Sequence, residues 1–137
     1  NTIANSSDKA ICMMDRTAYT DRIEIHSVPI EGTTGWWPFM DPFDPSFAET
    51  MRMRLLAQKD QLDDPWCLGF FVDNEIKWGD TKSLASFTIK APTTQRAKIA
   101  MINWLQKKYK TITTLNNHWG TTFGSWKELR ANRKKVP

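Results

Sequence analysis

The chain has 137 residues, room for one domain with a sizeable core, and its 40% hydrophobic and 25% charged content is the balance of a globular protein. No run approaches the ~18 apolar residues of a membrane-spanning helix. The formal charge of +4 gathers in the closing "KELRANRKKVP", which reads as a solvated helix end, so neither membrane nor nucleic acid is an expected partner.

The opening "NTIAN" is neither an initiator methionine nor a signal peptide. It reads as the end of a strand entered midway, and the whole of 1–137 as a piece of something longer, truncated at both ends. "KAICMMD" suits a short helix or a turn equally. "YTDRIEIH", Tyr19 to His26, alternates as a second strand with Ile23 and Ile25 on one face. The connection "SVPIEGTTGWWPFMDPF" is rich in Gly, Pro and Thr, and compact domains seldom keep such loops unless they serve function.

"DPSFAETMRMRLLAQKDQL" predicts a helix, with Asp44 as N-cap, Pro45 at the first helical position and Glu49 near the positive end. Phe47, Met51, Leu55 and Leu62 are its expected buried stripe. Pro65 biases Asp64 away from helical angles and ends it. Then comes "DPWCLGFFVDNEIKWGD", in which Trp66 to Val72 carry no polar side chain except the Cys67 thiol. Such a run predicts a strand buried on both faces, as in parallel sheets covered by helices. Cys67 reads as a small buried hydrophobe, and with Cys12 as its only companion there is no disulfide framework, which leaves the compartment open.

"SLASFTIKAPTT" is irregular. "TQRAKIAMINWLQKKYK" predicts a second helix, with Ala97, Met101, Trp104, Leu105 and Lys108 at compatible spacing and lysines at its negative end. "TITTLNNHWG" reads as a helical turn stopped by Gly120, and "SWKELRANRKK" as a further short helix. Trp36, Trp37, Trp78, Trp119 and Trp126 fall in expected loops. The order is strand, strand, helix, buried strand, helix without a hairpin signal, which makes the fold class α/β with parallel strands.

Parallel sheets place function at the carboxyl ends of their strands. Asp73, Asn74 and Glu75 stand there. Regular alternation would put Asp73 and Glu75 on one face, about 7 Å apart. Apolar neighbours keep a carboxylic acid protonated, and Glu75, flanked by Phe71, Ile76 and Trp78, suits a general acid of glycoside hydrolysis. Such enzymes need a second carboxylate, roughly 5–5.5 Å away for retention or 6.5–9.5 Å for inversion. Asp73 is a weak candidate for it, since both groups would approach the sugar from one side.

Trp36, Trp37 and Trp78 are candidates for stacking on a sugar, against the plainer reading of covering the site. His26 ends a predicted strand and either reaches the same cleft or serves as a structural hydrogen-bond partner; His118 reads as structural. No His-x-x-x-His, Gly-x-Gly-x-x-Gly or Walker loop occurs, so no metal and no cofactor are expected.

Four segments carry a resemblance. "DPWCLGFFVDNEIKWGD" resembles the stretch of agarases and related β-galactosidases that ends the fourth barrel strand in Asn-Glu. "FDPSFAETMRMRLLAQ" is similar to the helix start preceding it, and "INWLQKKYKTITTLNNHWGTTFGSW" to the stretch following it. "NTIANSSD" resembles "NTIGNWSD" at the end of the second strand; Asn5 is kept there as a substrate-binding candidate, while Ser6 replaces a tryptophan and removes one stacking surface.

The resemblance favours the agarases of glycoside hydrolase family 50 over the β-galactosidases of family 42. It implies a (β/α)8 TIM barrel and a retaining reaction on β-linked galactosides such as agarose or its oligosaccharides. Glu75 matches the acid/base, and Asn74 the residue that hydrogen-bonds the sugar 2-hydroxyl. Nothing in the chain matches the strand of the nucleophilic glutamate. A barrel needs about 250 residues, so this chain is expected to span strands two to four and to need the rest of the barrel, or self-association, to cover its open edges. The competing expectation is a non-catalytic carbohydrate-binding or regulatory relative of the same fold.

Overall fold

A computed structural model describes residues 2–4, 8–14, 16–33, 38–76 and 83–137. Strand β1 (Tyr19–Ile23) and strand β2 (Cys67–Val72) pair in parallel, with Tyr19 opposite Cys67 and Ile23 opposite Val72. On the other edge of β1, Ile3 forms an isolated parallel bridge: its N–H donates to the Ala18 carbonyl at 2.9 Å, and its carbonyl accepts from Thr20 N at 3.1 Å. Three chain segments therefore run the same way with β1 in the middle, as the βαβ order predicts. The register slips once, placing Thr20 opposite Gly69, so β2 holds an extra residue at Leu68. Gly69 takes φ +147°, which glycine accommodates and L side chains rarely adopt.

Helix α1 (Lys9–Cys12) resolves the ambiguous "KAICMMD", and the Asp8 carboxylate accepts from Ala10 N at 2.8 Å. Helix α2 (Pro45–Ala57) starts as expected, with Asp44 accepting from Ser46 N at 3.0 Å. The long helix breaks at Gln58, however, and a short α3 (Lys59–Leu62) follows. Its expected stripe is corrected too: Phe47, Met51 and Leu55 are only half-buried and Leu62 is exposed, whereas Gln61 is buried. Apolar residues lie all round α2, Met53 and Leu56 on the solvent side, so no rotation could bury them together.

The "irregular" stretch after β2 contains helix α4 (Ser83–Lys90). Its β-branched residues hid it: Thr88 is satisfied by bonding the Leu84 carbonyl at 2.8 Å, and Ile89 is fully buried against other helices. Helix α5 (Arg96–Tyr109) buries Ala97, Lys98, Ile102 and Leu105. Of the expected stripe only Ala97 and Leu105 are buried. Trp104 is 56% exposed, and Lys108 Nζ sits 4.9 Å from its ring centre. Helix α6 (Ile112–Trp119) is stopped by Gly120 at φ +64°, as predicted, and helix α7 (Trp126–Ala131) is capped by Ser125. Trp119 and Trp126 thus lie in helices rather than loops, both packed against the core.

The core has two parts. Tyr19, Ile23, Ile25 and Ile30 are buried around the sheet, while Ile89, Ile102, Leu105, Leu115 and Leu129 form a cluster shared by α4 to α7. The expectation that β2 is buried on both faces is not met: Leu68 is 64% and Phe71 54% exposed, and Cys67 is half-buried. Among the described residues β1 is the one strand paired with β2, and two parallel segments cannot wall in an apolar strand. A small antiparallel bridge, Pro29 to Met40, folds the long connection back on itself without any sequence signal for a hairpin.

Candidate active site

The carboxyl end of β2 is fastened to β1 by one residue. Asp73 N–H donates to the Ile23 carbonyl at 2.7 Å, and Asp73 Oδ1 accepts from Ile25 N at 2.7 Å. Asp73 is 8% exposed and stands at φ +56°; Glu75, two residues on, stands at φ +49°. The backbone therefore leaves extended geometry right after Val72, and the alternation that would pair Asp73 with Glu75 on one face ends there. The Asp73 carboxylate turns back onto the β1 backbone. It is a structural acceptor, and its candidacy as the second carboxylate is withdrawn.

Asn74 is half-buried and Glu75 exposed. The apolar enclosure expected around Glu75 is not formed by the described residues, because Phe71 on β2 is itself exposed and Ile76 only half-buried. A small cavity of about 80 Å³ opens beside this turn, lined by Phe39, Met40, Phe47, Val72, Asp73 and Ile76. A larger groove of about 710 Å³ adjoins it through Phe39 and Pro42, and runs past Phe43, Leu84, Met101 and Trp104. The larger groove has no titratable side chain in its lining, and in the smaller cavity Asp73 is the one titratable residue among those lining it.

His26 follows β1 at the same end of the sheet. Its side chain is exposed, with Nε2 3.6 Å from Glu24 Oε2, and Glu24 also accepts from Arg22 Nη2 at 2.8 Å. Ile25, which donates to Asp73, immediately precedes it. The fold thus brings His26, Asn74 and Glu75 to two neighbouring strand ends joined by the two hydrogen bonds of Asp73. His118 is elsewhere, in α6, its ring 5.4 Å from that of Tyr109. Asn5, Trp36, Trp37 and Trp78 lie outside the described residues.

The opposite end of the sheet is closed by Tyr19, whose hydroxyl donates to Asp64 Oδ2 at 2.7 Å. Burial, then that carboxylate, pushes the phenol pKa well up. Two buried carboxylates, Asp73 and Asp41, have structural roles that the sequence did not announce. Asp73 was weighed only as a weak candidate for the second carboxylate, although an Asp–Asn pair closing a strand is a recognisable signal for left-handed backbone. Asp41 gave no local signal of its tie to α5, since the partners of its Oδ2 are more than 50 positions away: that oxygen accepts from Gln95 Nε2 at 2.7 Å and from Ala97 N at 2.8 Å.

A family model described as β-galactosidase, glycoside hydrolase 42, matches residues 47–132, a span running from α2 through β2 to α7. β-Agarase B of Vibrio sp. (strain JT0107) is 39% identical across 72% of this chain and 11% of its own length. β-Agarase A of the same strain is 30% identical across 92% of this chain and 15% of its own. Two solved structures superpose with a TM-score of 0.82 at 27% identity, an exo-β-agarase over 99% of this chain and the agarase AgWH50C over 98%. The chain covers 20% and 21% of those two proteins, so it spans a small part of every relative named here. The resemblance to agarases and β-galactosidases read from the sequence is borne out.

Proposed function

We infer that this chain, which belongs to the glycoside hydrolase 42 β-galactosidase family, is the acid/base-bearing portion of a retaining glycosidase that cleaves β-linked galactosides such as agarose. In this reading Ile3, β1 and β2 are three neighbouring strands of a (β/α)8 barrel, about the second to the fourth. The parallel order with β1 in the middle supports it. The observation that carries the reading is the position of Asn74 and Glu75, immediately past the carboxyl end of β2 and tied to the end of the adjacent parallel strand.

Glu75 delivers its proton to the glycosidic oxygen as the bond to the leaving sugar breaks. A carboxylate from a segment outside these 137 residues forms an ester with the anomeric carbon. Water then attacks that carbon, displaces the carboxylate and returns a proton to Glu75. Asn74 hydrogen-bonds the sugar 2-hydroxyl. His26, Asn5, Trp36, Trp37 and Trp78 complete the proposed substrate contacts. The exposure of Glu75 fits a group whose enclosing wall is supplied by the remaining strands and by the sugar.

The test is Glu75→Gln in the complete polypeptide carrying this segment. Turnover of a natural oligosaccharide falls on the order of 10²- to 10⁴-fold, while an aryl galactoside with a good leaving group, which needs no protonation, loses far less. Equal losses on both substrates would remove Glu75 from the acid role. A wild-type polypeptide that binds agaro-oligosaccharides without ever cleaving them would favour the non-catalytic alternative.

A further inference from the structure

The bond between Asp73 and Ile25 has the pattern of a ladder bond made by the wrong atom. In a parallel ladder, a residue donates its N–H to one residue of the neighbouring strand and accepts, through its own carbonyl, from the residue two further on. Asp73 makes the first bond normally, to the Ile23 carbonyl. The second, from Ile25 N–H, goes to carboxylate Oδ1 rather than to the Asp73 carbonyl. Ile25 is 1% exposed, so its N–H needs a protein acceptor, and the side chain supplies one. The main chain of Asp73, released from that task, turns at φ +56° and leads through Asn74 to Glu75 at φ +49°. For non-glycine residues such angles persist only where surrounding structure holds them.

We propose that Asp73 is the positioning residue of the acid/base: its carboxylate replaces a backbone carbonyl in the ladder, frees the chain to turn, and thereby fixes the direction in which Asn74 and Glu75 leave the sheet. Asp73 touches no substrate in this assignment and acts through Glu75, so the proposal rests on the reading of Glu75 as the acid. Its side chain must accept from Ile25 and its backbone must tolerate positive φ. Asparagine meets both requirements, while glycine meets only the second.

The experiment compares Asp73→Gly, Asp73→Asn and Glu75→Gln in the complete polypeptide, measuring kcat and KM on a natural oligosaccharide and on an activated aryl galactoside, with hydrogen exchange at the Ile25 amide. Asp73→Gly is expected to lower kcat on the oligosaccharide on the order of 10- to 100-fold with KM little changed, since a misplaced acid costs that much. It should spare the aryl substrate and speed exchange at Ile25. Asp73→Asn should keep most activity and the protection of Ile25. Losses that Asp73→Gly shows equally on both substrates, or on neither, overturn the proposal, as does Asp73→Asn falling as far as Asp73→Gly. If the glycine variant does not fold, the asparagine variant decides by the same two readouts. If Glu75→Gln shows no dependence on leaving group, the acid assignment fails first and takes this proposal with it.

Discussion

Lys98 is fully buried in α5, and its ammonium donates to two neutral acceptors, the carbonyls of Ala91 at 2.8 Å and Asn132 at 2.6 Å. Burial, with Arg133 and Arg130 nearby adding like charge, pulls its pKa from 10.5 down to about 8. Because the unfolded chain keeps the proton up to its higher pKa, it binds more protons than the folded chain across that window, and Lys98 makes stability rise with pH. The cost of holding the charge, up to roughly 3 kcal/mol below pH 8, fades as the group is neutralised. Cys12 and Tyr19 act in the opposite sense. Burial raises both above their usual 9.0 and 10.0, so stability is lost as pH climbs past those values. Urea unfolding should therefore show stability rising between about pH 8 and 9, and Lys98→Met should flatten that rise. A wild-type profile that falls steadily across the same interval would contradict the assignment.

Helix α5 is held at its start by a residue from far back in the chain. Gln95 occupies its N-cap without making a side-chain cap, and the fully buried Asp41 supplies the acceptor for Ala97 N instead. The same carboxylate accepts from Gln95 Nε2 and, through Oδ1, from Phe43 N at 2.9 Å, so one buried side chain pins the long connection to the start of α5. Asp41→Ala leaves a buried N–H without its partner and should cost about 1–3 kcal/mol, read as a lowered urea midpoint. In the helical cluster Leu115 is fully buried, and Leu115→Ala should cost about 2–5 kcal/mol. The exposed Leu56 of α2 provides the contrast, with Leu56→Ala within about 0.5 kcal/mol of wild type. Caps at Asp44 and Gly120 are written next to the helices they bound, which is why those ends could be read directly. The α5 cap could not be read, because Asp41 is distant in sequence.

For the molecule as a whole, cohesion is uneven. The helices α4 to α7 share a cluster of fully buried side chains, whereas β2 exposes Leu68, Phe71 and Val72 and has one strand partner among the described residues. Amide exchange in the 137-residue chain should accordingly be slowest in α5 and faster in β2, since local opening is easiest where few apolar contacts hold the backbone. An apolar strand with an open edge also recruits other strands. The isolated chain should self-associate in sedimentation measurements, Leu68→Lys and Phe71→Lys should weaken that association, and glycosidase turnover should be absent. A monomeric chain with full turnover would end the proposal that further strands are required.

The sequence by itself determined what is local. Periodicity, caps and a proline gave α2, α5, α6 and α7 their places, and an apolar run ending in Asp-Asn-Glu identified β2, its polar end and the kinship with agarases. Tertiary structure decided what depends on partners distant in the chain. It made a helix of Ser83–Lys90 because Ile89 had a cluster to enter. It turned Asp73 from a weak candidate for the second carboxylate into a ladder acceptor because the Ile25 N–H needed one. It left β2 exposed because burial of a strand is a property of its neighbours, which no run of apolar residues can supply on its own.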